Sequence, residues 1–219
     1  MATTETSFRV LSLPQEAAAG EGDRVYIRLR RTLDIGAFGA SASYQAKAGE
    51  DVVGEHDELG PGADGHEELY VVVQGSATFT VDGEEIEAPS GTVVFVQPGA
   101  TRKAVATSDG TIVLAVGGRR GEAYRLPPGA ELGDFFEHYN AKDWEGALAA
   151  CHVALEKFPG NALILYNIAC MESMLGRGDQ ALETLRSSVE QWPRFKENAQ
   201  GDDDFASLRE DPRFLELVG

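Results

Sequence analysis

An antiparallel β-barrel or sandwich followed by an array of paired helices is the fold class that the sequence predicts. Three observations predict it. Residues 24–117 carry short apolar runs of strand period, broken by turn-forming Gly, Pro and Asp residues. Beyond Pro127-Pro128-Gly129 the apolar spacing becomes helical. Within that second stretch the pattern recurs at an offset of 34 residues: Ala147-Leu148 returns as Ala181-Leu182, Cys151 as Leu185 and Pro159 as Pro193.

Phe8 to Leu13 reads as an edge strand, and Pro14 with the Ala/Gly/Glu stretch after it reads as a loop. Val25, Ile27 and Leu29 alternate with Tyr26, Arg28 and Arg30, a strand pattern. Phe38–Ala46 is a further extended segment, and glycines at 49, 54, 60, 62 and 65 punctuate the stretch leading to the next strand. Glu68–Gln74 stops at Gly75. Ala77–Val81 runs into Asp82-Gly83, a strong two-residue hairpin signal, and Glu84–Ala88 returns. Thr92–Gln97 ends at Pro98-Gly99. Lys103–Thr107 and Thr111–Gly117 pair around Ser108-Asp109-Gly110. Pro127–Gly129 is the expected boundary, giving residues 1–128 and 129–219 as two domains.

Composition narrows the function. The 219 residues are 42% hydrophobic, enough for a core. The net charge is −17, and both parts are acidic: −8 for residues 1–128 (19 acids, 11 bases) and −9 for 129–219 (17 acids, 8 bases). No basic face is reserved for nucleic acid or an anionic membrane. The N-terminus lacks a basic region followed by a long apolar one, and no apolar run approaches membrane-spanning length. A cytoplasmic protein is expected. Cys151 and Cys170 read as buried thiols of a reducing compartment. Phosphate-binding glycine loops, nucleophile elbows and calcium-loop spacings are absent. Asp202–Asp204 reads as a helix cap, and Trp144 and Trp192 as packing residues.

The 34-residue period resembles the tetratricopeptide repeat (TPR). Asn167-Ile168-Ala169, Gly176, Ala181, Leu185 and Pro193 match that pattern in the second unit. The first unit fits through Ala147, Ala154 and Pro159, but Asp134 stands where an apolar residue is expected. Asp203–Phe214 resembles the closing helix that comes after such repeats. Two repeats are few for an independent solenoid, so this half is expected to lean on the barrel or on a second copy.

Residues 66–99 resemble the cupin superfamily. Glu68 and Gly75 have the spacing of the first cupin motif, and Gly91 with Pro98-Gly99 that of the second. The resemblance implies a jelly-roll-type β-barrel, joined here to a TPR-like tail as in bacterial proteins of that combination. It also implies an internal divalent transition metal (Fe, Mn, Ni, Cu or Zn) held by two histidines, a glutamate and a final histidine. Of those four places only Glu68 is conventional. The shortest spacing puts Gly62 and Asp64 on the histidine places, and Arg102 occupies the last.

A longer loop at Leu59–Gly65 restores part of the set, with His56 on the first place and Glu58 on the second. Strand alternation then puts His66, Glu68 and Tyr70 on one face. His56, His66 and Glu68 become a two-histidine, one-carboxylate group. The competing reading leaves His56 in an exposed loop and pairs an inward Glu68 with Arg102. Arg102 repels a metal and attracts an anion, since guanidinium binds carboxylate or phosphate through two parallel hydrogen bonds.

These residues point to three functions. The leading one is a non-enzymatic barrel that binds or senses a small anionic metabolite through Arg102, Glu68, Tyr70 and His66, coupled to a TPR module that engages a protein partner or itself. The second is a metal-dependent dioxygenase or isomerase using His56, His66 and Glu68. The third is a structural adaptor with an empty barrel. A homodimer covering exposed strand edges is expected.

Overall fold

The structure, a computed structural model, describes residues 8–219, so the first seven residues of the expected first domain lie outside the described residues. The chain divides into two compact units. One runs to Gly60 and resumes over Gly65–Arg125; the other comprises Pro61–Asp64 and Leu126–Gly219.

The first unit contains α1 (Leu13–Ala19), β1 (Arg24–Ile27), α2 (Leu29–Leu33), β2 (Gly39–Gln45), β3 (Asp51–His56), β4 (Glu67–Gln74), β5 (Ser76–Val81), β6 (Glu84–Pro89), β7 (Val93–Val96), β8 (Arg102–Ala106) and β9 (Thr111–Gly118). The strands form two antiparallel sheets, β1-β2-β9-β4-β7 and β3-β8-β5-β6. The expected barrel is therefore a two-sheet sandwich, since among the described residues no ladder joins the sheets into a closed ring. Val72, Phe79, Val52 and Ala104 are fully buried in the core of this unit. At the β5–β6 turn both Asp82 (φ 49°) and Gly83 (φ 86°) are left-handed, the backbone that a two-residue hairpin requires.

Two N-terminal expectations are corrected. Phe8–Leu13 is no strand: Pro14 sits in the first turn of α1, where its missing N–H costs nothing, and Gln15 and Glu16 both donate to Ser12 O. The strand beginning at Arg24 ends at Ile27, and Leu29–Leu33 is helical. Alternation in Val25–Leu29 thus ran past the strand, because Leu29 is buried from a helical turn as readily as from a strand. Both helices cover one outer face of the larger sheet, where Ala17, Ile27, Leu29, Ala42 and Ile112 make a second cluster.

The second unit contains α3 (Pro128–Glu131), α4 (Gly133–Asn140), α5 (Trp144–Lys157), α6 (Ala162–Met174), α7 (Gly178–Gln191), α8 (Phe195–Gly201), a 3-10 helix (Asp203–Leu208) and α9 (Pro212–Val218). Helices α5 and α7 are each 14 residues long and begin 34 residues apart. The equivalent pairs Ala147/Ala181 and Cys151/Leu185 are all fully buried. Gly176 turns α6 into α7 with φ 74°. Asp143 and Asn161 cap α5 and α6 by accepting from Gly146 N and Ile164 N. The tail is two short elements rather than one closing helix, because Asp211-Pro212 starts a new one: Asp211 accepts from Arg213 N. Asp202 caps the 3-10 helix, and both cysteines are free and buried. Among the described residues no helix is long and apolar enough to cross a membrane.

Candidate functional site

The site is built from both sheets. His56 closes β3 and pairs in register with Arg102, the first residue of β8. Glu68 and Tyr70 alternate onto the inner face of β4, in the other sheet, while Leu69 between them points outward. Glu58 lies just beyond β3 with φ 63°, a left-handed backbone that a glutamate rarely adopts. That conformation turns its carboxylate back toward His56, with Oε1 at 3.4 Å from Nε2.

Glu68 Oε2 is the hub. It accepts a short hydrogen bond from the Tyr70 hydroxyl and lies 3.3 Å from His56 Nε2. Arg102 Nη2 is 3.4 Å away. His56 Nδ1 donates to Gly54 O at 2.8 Å, which fixes the ring and aims Nε2 at Glu68, Tyr70 and Glu58.

Arg102 is fully buried. Its Nη1 donates to Ala100 O at 2.9 Å and reaches His56 O at 3.5 Å. Nε and Nη2 are buried without a hydrogen-bond acceptor. The Nη2–Glu68 contact is thus an ion pair not aligned as a hydrogen bond. Nε and Nη2 share one edge of the guanidinium, the fork that binds a carboxylate or phosphate through two parallel bonds. Leaving each such donor unspent costs about 1–3 kcal/mol.

The ionisation states follow from these contacts. Burial acts to raise the Glu68 carboxyl, but the hydrogen bonds from His56 and Tyr70 and the charges of His56 and Arg102 outweigh it and hold Glu68 below the usual range. The bond to Glu68 raises His56, which keeps a proton on Nε2 more firmly than a free imidazole does. Burial, reinforced by the charge of Glu68, pushes Glu58 up to about 7. Burial and Glu68 also raise the Tyr70 hydroxyl, so it stays a donor.

The expected residues divide accordingly. His56, Glu68, Tyr70 and Arg102 converge, and Glu58 joins them. His66 does not belong to the group whose ligand atoms lie within 4.8 Å of one another, which is His56, Glu58 and Glu68. Alternation places His66 on the face of Glu68, but two steps along a strand set the pair about 6–7 Å apart. The His66 ring is instead buried against Tyr124, 5.5 Å between centroids, and the Arg30 guanidinium lies 5.0 Å from the same tyrosine ring. The left-handed turn at Glu58 gives no periodic signal; the run of glycines at 60, 62 and 65 is the only hint of it.

Tested against a divalent metal, one imidazole and two carboxylates are suitable donors. Two features oppose the fit: the hydrogen bond to Glu68, which raises the affinity of His56 for its proton, and the guanidinium beside the shared Glu68 oxygen.

Residues 53–117 match the cupin domain family. That segment runs from within β3 to within β9 and includes every residue of the cluster. Among solved structures, a cupin protein from Bacteroides fragilis is 24% identical and covers 56% of this chain and 95% of its own, with a TM-score of 0.39. A cupin superfamily protein from Desulfitobacterium hafniense is 22% identical over 49% of this chain and 88% of its own, with a TM-score of 0.38. A predicted oxalate decarboxylase from Thermotoga maritima is 20% identical over 43% and 76%, with a TM-score of 0.34. None of the curated proteins compared with the chain matches it.

Proposed function

We propose that the cupin domain binds a small carboxylate or phosphate compound without transforming it, and that the helical unit is a TPR-type module that carries the response to a protein partner. The observation behind the ligand reading is the Arg102 fork: a fully buried guanidinium whose Nε and Nη2 make no aligned hydrogen bond. Glu68 stands beside this edge as an internal stand-in for the ligand's anion. An entering anion displaces it, and Glu68 then accepts from a donor on the ligand. His56 and Glu58, which retain partial exposure, line the approach. The 34-residue offset of α5 and α7 supports the helical reading.

A second reading has its own observation, the proximity of His56 Nε2, Glu58 and Glu68 within 4.8 Å. These three residues would hold a divalent transition metal, which would supply Lewis-acid or redox chemistry to a bound substrate. His56 would first surrender its Nε2 proton, and Glu58 would ionise, so metal uptake would strengthen as pH rises.

Thermal unfolding of chelator-treated protein separates the readings. Small carboxylates and phosphates at millimolar concentration should raise the transition of the cupin domain, by linkage to binding. Arg102→Lys keeps the charge but removes the fork, and should reduce the shift by at least half. A shift produced by Mn, Fe or Zn alone, and abolished in His56→Ala, would replace the anion reading with the metal one.

A further inference from the structure

We infer that the compound held at Arg102 is a small 2-hydroxy monocarboxylate, with its carboxylate on the guanidinium edge and its hydroxyl donating to Glu68; the assignment rests on the anion-binding reading above. The unspent groups of the site define this class. On the donor side, Nε and Nη2 of the fully buried Arg102 make no aligned hydrogen bond. On the acceptor side, two carboxylates stand close by. Glu68 Oε2 lies 3.4 Å from Arg102 Nη2, and Glu58 Oε1 lies 3.4 Å from His56 Nε2.

Charge selects carboxylate over phosphate. The edge offers two donor nitrogens, which match the two oxygens of one carboxylate. A phosphate monoester brings three acceptor oxygens and close to two charges at neutral pH. Its extra charge would face Glu68, and then Glu58, in a site that solvent screens poorly. A dicarboxylate meets the same objection. One guanidinium beside two carboxylates therefore suits a ligand with a single negative charge.

The second functional group follows from Glu68. When a ligand takes the Arg102 edge, Glu68 Oε2 gives up its cation but keeps the Tyr70 hydroxyl and His56 Nε2, the latter at 3.3 Å. These two hold it beside Nη2 as an acceptor. A hydroxyl on the carbon next to the ligand's carboxylate stands one bond from the fork, within reach of that oxygen. A ligand without it leaves the carboxylate short of a donor. An ammonium on the same carbon would stand between Arg102 Nη2 and His56 Nε2, two donors turned toward the same oxygen, so a neutral hydroxyl is preferred to an amine. Arg102 and Tyr70 are buried at the closed end, whereas His56, Glu58 and Glu68 keep partial exposure. Any further substituent therefore points out past His56.

Isothermal titration calorimetry of the chelator-treated full chain tests the inference, with glycolate, lactate, acetate, propionate, alanine and inorganic phosphate as probes. Glycolate should bind about tenfold more tightly than acetate, and lactate about tenfold more tightly than propionate, as expected for one hydrogen bond to a charged acceptor. Alanine and phosphate should bind more weakly than lactate. Glu68→Gln exchanges the charged acceptor for a neutral one, and should cut the hydroxyl preference to about threefold while acetate still binds. Acetate binding as tightly as glycolate, alanine or phosphate binding more tightly than lactate, or a folded Glu68→Gln variant with the full preference would each overturn the 2-hydroxy assignment and leave the anion site standing. No binding of any probe to wild type would refute the anion site itself, and the assignment with it.

Discussion

Glu58→Gln should stabilise the protein at pH 8 and leave it nearly unchanged at pH 4.5. Burial and the charge of Glu68 put the Glu58 carboxyl at about 7, against an ordinary 4.5. The folded state therefore holds this proton to higher pH than the unfolded state does. Between pH 4.5 and 7 the unfolded chain binds fewer protons, so stability falls as pH rises, and above 7 the loss is complete. At 1.36 kcal/mol per pKa unit, the full cost is about 3 kcal/mol. Glutamine keeps the side-chain shape and the left-handed backbone but cannot ionise. His56 also titrates higher when folded, so its stabilisation is present below its unfolded value of 6.5 and lost as pH rises through its folded value. The charge of Glu58 is not among the main causes of the His56 shift, so that slope largely cancels between wild type and variant. The assay is urea unfolding of metal-free protein followed by far-UV circular dichroism at both pH values. Both tryptophans, Trp144 and Trp192, belong to the helical unit. Their fluorescence tracks that unit and should report no difference. A variant no more stable than wild type at pH 8, or stabilised equally at both pH values, would refute the reasoning.

Arg102→Met should cost about 3 kcal/mol, the low end for breaking a buried ion pair, because Glu68 loses its buried cation and keeps only His56 and Tyr70; the fall in urea midpoint measures it. Ala181→Leu should cost about 1–3 kcal/mol by overpacking a fully buried site, and Ala147→Leu, its counterpart 34 residues earlier, should cost a similar amount, read by tryptophan fluorescence. Asp202→Ala should cost about 1–2 kcal/mol in the same assay, since Asp202 accepts from the Tyr166 hydroxyl at 2.8 Å and from Asp204 N at 3.1 Å.

The strands from Glu67 to Gly118 were legible because each is a short run set between glycine, proline or Asp-Gly turns, and β5, β7 and β8 also show period-2 burial. Whether they close into a barrel depends on pairing between distant strands, which no local pattern records. The N-terminal errors have the same root. Phe8–Leu13 and Leu29 are apolar, and apolar content alone does not distinguish a short strand from a helical turn. At the site, motif spacing located Glu68 and Arg102, and alternation added Tyr70. Alternation also set His66 on that face, but sharing a face is not the same as reaching one point along a strand, and the group within 4.8 Å is His56, Glu58 and Glu68. The position of Glu58 depends on one backbone angle in a loop, and the sequence carries no signature for it beyond nearby glycines.

The most direct test of the Arg102 fork as an anion site is native mass spectrometry and elemental analysis of tag-free wild-type protein. An anion site predicts less than about a tenth of a transition-metal equivalent, and an added small carboxylate or phosphate bound one per chain in wild type but not in Arg102→Lys, a distinction that rests on the two-donor fork. Near-stoichiometric Mn, Fe, Ni, Cu or Zn that disappears in His56→Ala would contradict it.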